Sequence, residues 1–324
     1  MFKRGLKYFL LLVLSLLSTQ LFAASNTTQP SQPLTLMLDW FVNPTDAQLF
    51  VAQQQGFFKQ QGLNVKIVPP SNPDDPPKLV AAGNADIAIM SQPELVLDVQ
   101  QGLPLVRIAT LIDKPLRCMA VKANSGITSI KDLKGKSIGY AVSGIDTAML
   151  HTMLAKNGLS LQDVNLVNVN YDLSQALLSG RVDAVIGIIR NFELIQMKLA
   201  GFKAQPFYPE QNGVPPFDEL ILVVNKKEIN DPRLPLFMNA LQQGNVYLQQ
   251  HPQQCWQQFV QNHPELNNEL NKEAWDATLP DFAKNPSEFS ADKYNSFAQF
   301  MLKQGLISSV TPVNQYTAKI NQAS

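Results

Sequence analysis

Asp39-Trp40 closes an alternating apolar run, and the pair is suited to a flat, amine-bearing ligand. An indole offers a face for stacking, and a neighbouring carboxylate accepts hydrogen bonds from an amino group. The same Trp40 would equally serve to fill the space between two packed units. Asn43 begins Asn43-Pro44-Thr45-Asp46, a helix-cap pattern beside that pair. A second group is Tyr140-Ala141-Val142-Ser143-Gly144-Ile145-Asp146, between a strand and a helix. There Gly144 lets backbone N–H groups approach a ligand, and a helix N-terminus favours an anion or a carbonyl oxygen. Asp146 at the cap position argues against a fully charged phosphate. The third group is acidic: Asp218-Glu219 ahead of a strand, and Glu94 just after Ser91-Gln92-Pro93. Each carboxylate either faces a ligand or complements a helix dipole at the surface.

Catalytic constellations are missing. No GxSxG occurs, no Ser or Cys has an evident His partner, and His151, His251 and His263 lack metal-ligand spacing. The expectation is a protein that is not an enzyme and carries no metal and no cofactor. Lys and Arg number 26 against 26 Asp and Glu, which lacks the basic bias of a nucleic-acid binder. Two cysteines cannot form a disulfide scaffold, and Cys118 and Cys255, each in an apolar pattern, are expected as buried thiols.

The elements that must position these residues alternate. Leu34–Leu38 reads as a strand, 46–58 as a helix stopped by Gly62, then Val65–Val68, 77–82, 85–90, 93–100 and 106–111 as strand and helix in turn. A second series follows 116–122, with a helix at 130–133, a strand at 137–140, a helix at 146–157, a strand at 165–170, a helix at 173–179 and a strand at 184–187. Asp218–Asn225 is a further strand entered from a Pro/Gly-rich loop, and the remainder is helical, around 234–248, 253–260 and 293–305. With 324 residues, this predicts two doubly wound α/β lobes joined by two crossover strands, one lobe over 34–120 plus 221–324 and the other over 121–220. A ligand site is expected between them, with hinge closure at the crossovers.

Residues 1–24 have a charged start, an apolar stretch too short to span a bilayer and a small-residue end, the pattern of a signal peptide cleaved after Ala23 or Ala24. Export to the periplasm is expected, with no cysteine for lipid attachment. In that oxidising compartment a bond between Cys118 and Cys255 is chemically open, although the sequence does not bring them together. Loss of Lys3, Arg4 and Lys7 leaves 23 basic against 26 acidic residues.

Leu38-Asp39-Trp40, the Gly56–Leu63 run GFFKQQGL, Ala82-Gly83-Asn84-Ala85-Asp86, the Lys131–Tyr140 run KDLKGKSIGY and Gly180-Arg181-Val182-Asp183-Ala184 resemble the sulfonate-binding/thiamine-pyrimidine-synthase-like (NMT1-like) group of periplasmic-binding proteins, over roughly 34–270. The resemblance implies the type II periplasmic-binding-protein fold. Asp39-Trp40 and Asp218-Glu219-Leu220 are most similar to members that bind pyrimidine precursors of thiamine for an ABC importer. That implies stacking by Trp40, acceptance of amino or formylamino N–H groups by Asp39 and Glu219, donation from the Ser143-Gly144 backbone, a small pyrimidine ligand, an ABC permease as partner and a monomeric state. Other aromatic or sulfonate solutes, riboflavin among them, are the alternative within the binding class; a signalling domain presented to a receptor would need a partner. Ser71-Asn72-Pro73-Asp74-Asp75 and 126–140 also resemble the fungal-type pyrimidine phosphate synthase. The positions matching that enzyme's lysine and histidine are Met90 and Glu94 here, and its cysteine run falls on Pro215–Glu219. Neither a Schiff base nor the nitrogen donor is available from those positions.

Overall fold

The computed structural model describes residues 32–320; the leader and its cleavage site lie outside the described residues. The first half of the chain forms β1 (Gln32–Met37), α1 (Ala47–Gln54), α2 (Phe57–Gln60), β2 (Leu63–Val68), α3 (Pro76–Ala81), β3 (Ile87–Met90), α4 (Gln92–Gln100) and β4 (Leu105–Ile112). After residues 113–116 come β5 (Arg117–Lys122), β6 (Ser137–Tyr140), α5 (Ile145–Lys156), β7 (Asn165–Asn168), α6 (Leu173–Leu178), β8 (Ala184–Ile189), α7 (Glu193–Leu199) and β9 (Ala204–Phe207). Residues 208–219 lead back to β10 (Leu220–Asn225), and α8 (Arg233–Gln250), α9 (Pro252–Asn262), α10 (Glu269–Thr278) and α11 (Ala291–Lys303) follow.

Two five-stranded sheets result, in the orders β2-β1-β3-β10-β4 and β7-β6-β8-β5-β9. Each is parallel apart from one strand carried in beside a crossing: β10 runs antiparallel to β3 and β4, and β5 runs antiparallel to β8 and β9. This is the bilobed α/β architecture expected from the alternation. Strands β3, β4 and β10 are buried along their whole length, which is why they read as mostly apolar runs with no period of two, interrupted by the buried Arg107 and Thr110 in β4 and closed by Asn225 in β10.

Several local expectations are overturned. Pairing of Arg117–Lys122 with β8 and β9 puts β5 wholly in the second sheet, so the first crossing lies at 113–116 rather than near 120. An apolar run looks the same whether it ends one lobe or begins the next. The helix expected over 46–58 breaks at Gly56, whose φ of 75° is left-handed and ends α1 before α2. Residues 130–133 form a 3-10 turn, and α7 and β9 are not expected from the sequence pattern.

One apolar cluster gathers the α1, α8 and α9 side chains under the first sheet, including Leu49, Phe237 and Phe259. The other fills the second lobe and continues through Met90, Phe217 and Phe297 onto the first sheet's opposite face. Helices α1 and α8 approach closely because Gly244 has no side chain: a Cβ there would lie 2.7 Å from Ala52 Cβ and 2.9 Å from the Ala52 backbone. Neighbouring Asn245 bridges the same helices, accepting from Gln48 Nε2 at 2.7 Å and donating to the Ala283 and Lys284 carbonyls at 3.0 Å. Gly244→Ala is therefore expected to cost about 1–3 kcal/mol, since backbone must move to admit the methyl. A thermal unfolding midpoint several degrees lower checks this, and an unchanged midpoint rejects the close packing.

Candidate functional site

The cleft between the lobes has a volume of about 540 Å³, open solvent at its mouth included. The first lobe contributes Asp39, Trp40, Asn43 and Thr45; the second contributes Ala141, Val142, Gly187, Ile189, Phe192 and Glu193; Leu116, Arg117, Glu219 and Leu220 come from the crossings and the strand ends beside them. Beyond it the lobes touch on both sides. The Ser143 N–H donates to Asp74 Oδ1 and the Tyr171 hydroxyl to the Pro70 carbonyl, both at 2.9 Å, while Asn191 Nδ2 donates to Thr278 Oγ1 at 2.6 Å.

Arg117 organises the floor. Its Nε donates to Glu219 Oε1 at 2.8 Å and its Nη1 to Asp146 Oδ1 at 3.1 Å, both partners fully buried. Glu219 Oε2 accepts the backbone N–H groups of Leu116, at 2.6 Å, and Arg117, at 2.9 Å, so the return strand is stitched to the first crossing. Asp146 Oδ2 takes the N–H groups of Ala141 and Val142 at 3.0 and 2.9 Å, so the protein's own carboxylate satisfies the donors of the loop that leads into α5. Gly187 permits this: its φ is 98°, and a Cβ there would lie 2.5 Å from Asp146 Oδ2. Burial alone would lower the Arg117 pKa, but Glu219, Asp146, Glu94 and Asp39 raise it above its ordinary value and keep it charged. Behind it, Arg190 donates to the Leu116 and Arg117 carbonyls and is paired with Glu210 at 2.8 Å.

Asp39, Glu94, Asp146, Glu193 and Glu219 all lie within electrostatic reach of this guanidinium, and Asp46 adjoins Asp39. Burial pushes Asp39 up to about 6 against the pull of Arg117, and pushes Glu193 up to about 7 although the Ile189 N–H bonds it at 2.8 Å. Asp46 is raised well above the carboxylate range by burial and by Asp39, and Glu94 is raised by burial and by Asp98. Asp146 is also raised by burial, with Arg117 opposing.

Of the residues singled out in the sequence, Asp39, Trp40, Asn43 and Glu219 converge on this cleft. Trp40 lines the cleft and also fills space between the lobes, packing edge-on against Tyr171 of the other lobe with ring centres 4.5 Å apart. Its indole N–H has no acceptor among the described residues. Asn43 is a cap, its Oδ1 accepting the Thr45 N–H at 2.9 Å while the Asn43 N–H donates to Asp46. The geometry corrects the role expected of Glu219 and the placement of the remaining residues. Glu219 has its oxygens taken by Arg117 and Leu116, so it holds the floor in place instead of waiting for a ligand amine. Asp218 turns away from the cleft and pairs with Lys293. Ser91 and Glu94 cap α4 reciprocally and do not line the cleft. Tyr140 ends β6 outside the lining, and Ser143 and Gly144 are exposed, the Ser143 N–H being spent on Asp74. Cys118 and Cys255 are buried free thiols.

Sequence reasoning missed Arg117, Gly187, Phe192 and Glu193. The last two lie where β8 runs into α7. A usable signal exists for them: Phe192-Glu193 stands shortly after an apolar strand, an aromatic beside a carboxylate at the same strand-end position that draws attention to Asp39-Trp40.

The NMT1/THI5-like family model matches residues 43–255. A Haemophilus influenzae protein named as a putative thiamine biosynthesis protein is 48% identical over 290 residues, covering 89% of this chain and 92% of that one. The formylaminopyrimidine-binding protein of Halalkalibacterium halodurans is 33% identical over 275 residues, covering 82% and 83%. Among solved structures, the alkanesulfonate-binding protein SsuA from Xanthomonas axonopodis pv. citri, bound to MOPS, superposes with a TM-score of 0.70 at 18% identity, over 90% of this chain and 99% of that one. That last likeness concerns the fold.

The raised carboxyls give a pH test. Asp39 and Glu193 titrate higher in the folded protein than in an unfolded chain, so their contribution is fully present below about pH 4 and is lost as pH rises through about 6 and about 7. The unfolding free energy is expected to fall from pH 5 to pH 8, by about 1–3 kcal/mol for each group, the lower figure allowing for water in the cleft. Asp39→Asn and Glu193→Gln should each flatten the profile measured by denaturant titration. Slopes identical to the unaltered protein's would show that neither group is raised.

Proposed function

The chain belongs to the NMT1/THI5-like family, and from that premise we propose that it is an exported solute-binding protein that captures an unphosphorylated pyrimidine precursor of thiamine, of the hydroxymethylpyrimidine or formylaminopyrimidine type, for an ABC importer. One observation carries the reading: the cleft is lined by aromatic and acidic side chains, and the one cation among its lining residues is already committed to Glu219 and Asp146. An aminopyrimidine is flat, uncharged or cationic, and rich in N–H donors. A sulfonate or phosphate would meet carboxyls with no uncommitted cation among the lining residues, and it would find the loop donors Ala141 N–H and Val142 N–H already taken by Asp146. The relative named for binding formylaminopyrimidine supports the choice of ligand class.

In this reading the ring lies between Trp40 of the first lobe and Phe192 of the second. Asp39 and Glu193 accept the exocyclic N–H groups. A carboxyl titrating near neutral pH also donates to a ring nitrogen in its protonated form, so one carboxyl and one aminopyrimidine make a two-point contact. Capture by closing lobes then presents a loaded monomer to the permease.

Calorimetric titration of the mature protein tests this. Hydroxymethylpyrimidine or its formylamino analogue is expected to bind, whereas the pyrimidine phosphate, pyridoxal phosphate, an alkanesulfonate and riboflavin are expected to bind more weakly by on the order of 100-fold or more, the penalty of an unpaired charge or a poor fit in a closed site. Trp40→Ala should cost on the order of 1–3 kcal/mol in affinity. Preference for the sulfonate or the phosphate ester would overturn the assignment.

A further inference from the structure

Helix α11 does not line the cleft, yet its first turn reaches both crossings. Lys293 Nζ donates to the Asp113 carbonyl on the first crossing at 2.5 Å and to Asp218 Oδ1 on the second. Asp218 Oδ2 also accepts the hydroxyls of Tyr294, at 3.1 Å, and Thr110, at 3.2 Å. The Asp218 backbone is bracketed by Gln92, whose own N–H donates to the Asp218 carbonyl at 3.0 Å and whose Oε1 accepts the Asp218 N–H at 2.9 Å. Arg107, buried against Phe289, anchors the group to β4 by donating to Thr110 Oγ1 at 2.8 Å. Further along α11, Phe297 packs edge-on against Phe217, ring centres 5.7 Å apart. There the helix borders a small apolar gap shared with Pro93 of the first lobe, Ile145 and Met149 of the second, and Val214 of the second crossing.

We propose that Lys293 is a hinge clamp: by holding a carbonyl of one crossing and a carboxylate of the other, it sets how readily the lobes separate without touching the ligand. Separation of two lobes joined by two strands is absorbed by dihedral changes within 113–116 and 208–219. One ammonium bonded to both strands opposes their relative movement. The neighbouring Glu219 performs the matching task on the cleft side, so the two crossings are fastened to each other from both faces.

An inter-lobe distance measurement tests the clamp, with spin labels attached through Lys66→Cys and Lys131→Cys, both exposed positions on opposite lobes, while the native thiols are buried. Lys293→Met removes the charge and keeps the stem. Because it strands Asp218, the double variant Lys293→Met/Asp218→Asn is measured beside it. Without any ligand, both are expected to shift the distance distribution towards separated lobes. With hydroxymethylpyrimidine, which rests on the binding function proposed above, dissociation should speed up by about tenfold with little change in association rate. Distances identical to those of the protein that keeps Lys293, in either variant, would overturn the clamp. Absence of pyrimidine binding by the unaltered protein would count against the ligand assignment alone, since the ligand-free distances still report on the clamp.

Discussion

Arg117 begins the second lobe, reaches Glu219 where the chain returns to the first, and reaches Asp146 at the start of α5, so one side chain joins both crossings to the helix that faces the cleft. A buried guanidinium is tolerated only when its donors are met, and leaving any of these partners alone would strand a charge in the interior. The arrangement propagates. Glu219 must stay where Leu116 and Arg117 donate to it, Asp146 must cover the N–H groups of Ala141 and Val142, and residue 187 must be glycine for that carboxylate to fit.

The same constraint decides the character of the cleft. Arg117 is balanced twice over and Arg190 is held by Glu210, so Asp39 and Glu193 form no ion pair among the described residues. Burial then favours their neutral forms, which turns both into groups able to accept or donate near neutral pH. The sheets supply the location, the ends of β1 and β8 pointing at one space, while the chemistry comes from which side chains stand there.

Much of this is legible in the sequence. Alternating strands and helices imply two lobes and a cleft between them, and Asp39, Trp40 and Asn43 follow from standing just past the first strand. Consecutive residues of an extended chain point to opposite sides, which separates Asp218 from Glu219: one meets Lys293 outside, the other Arg117 inside. Nothing in the pair Asp-Glu says which is which. Ser91 and Glu94 resemble site residues in the sequence because a helix cap uses the same residue types as a binding site. Arg117 is hidden in an apolar strand, and its partners lie 29 and 102 residues away, a separation that only tertiary structure closes.

Fold and site therefore carry different information. The Xanthomonas protein bound to MOPS shares the architecture at 18% identity, and that likeness speaks for the fold alone. In the function proposed above, the choice of ligand rests on the charge balance inside the cleft: an anion would add to an excess of carboxyls, whereas an amine donor relieves it. Since a carboxyl held near neutrality exchanges a proton at little cost, the cleft can meet a ring nitrogen in either protonation state. The selectivity for donors over anions that the proposed function requires would then follow from the residues that fasten the crossings, because those same residues pair with Arg117, the cation in the cleft lining.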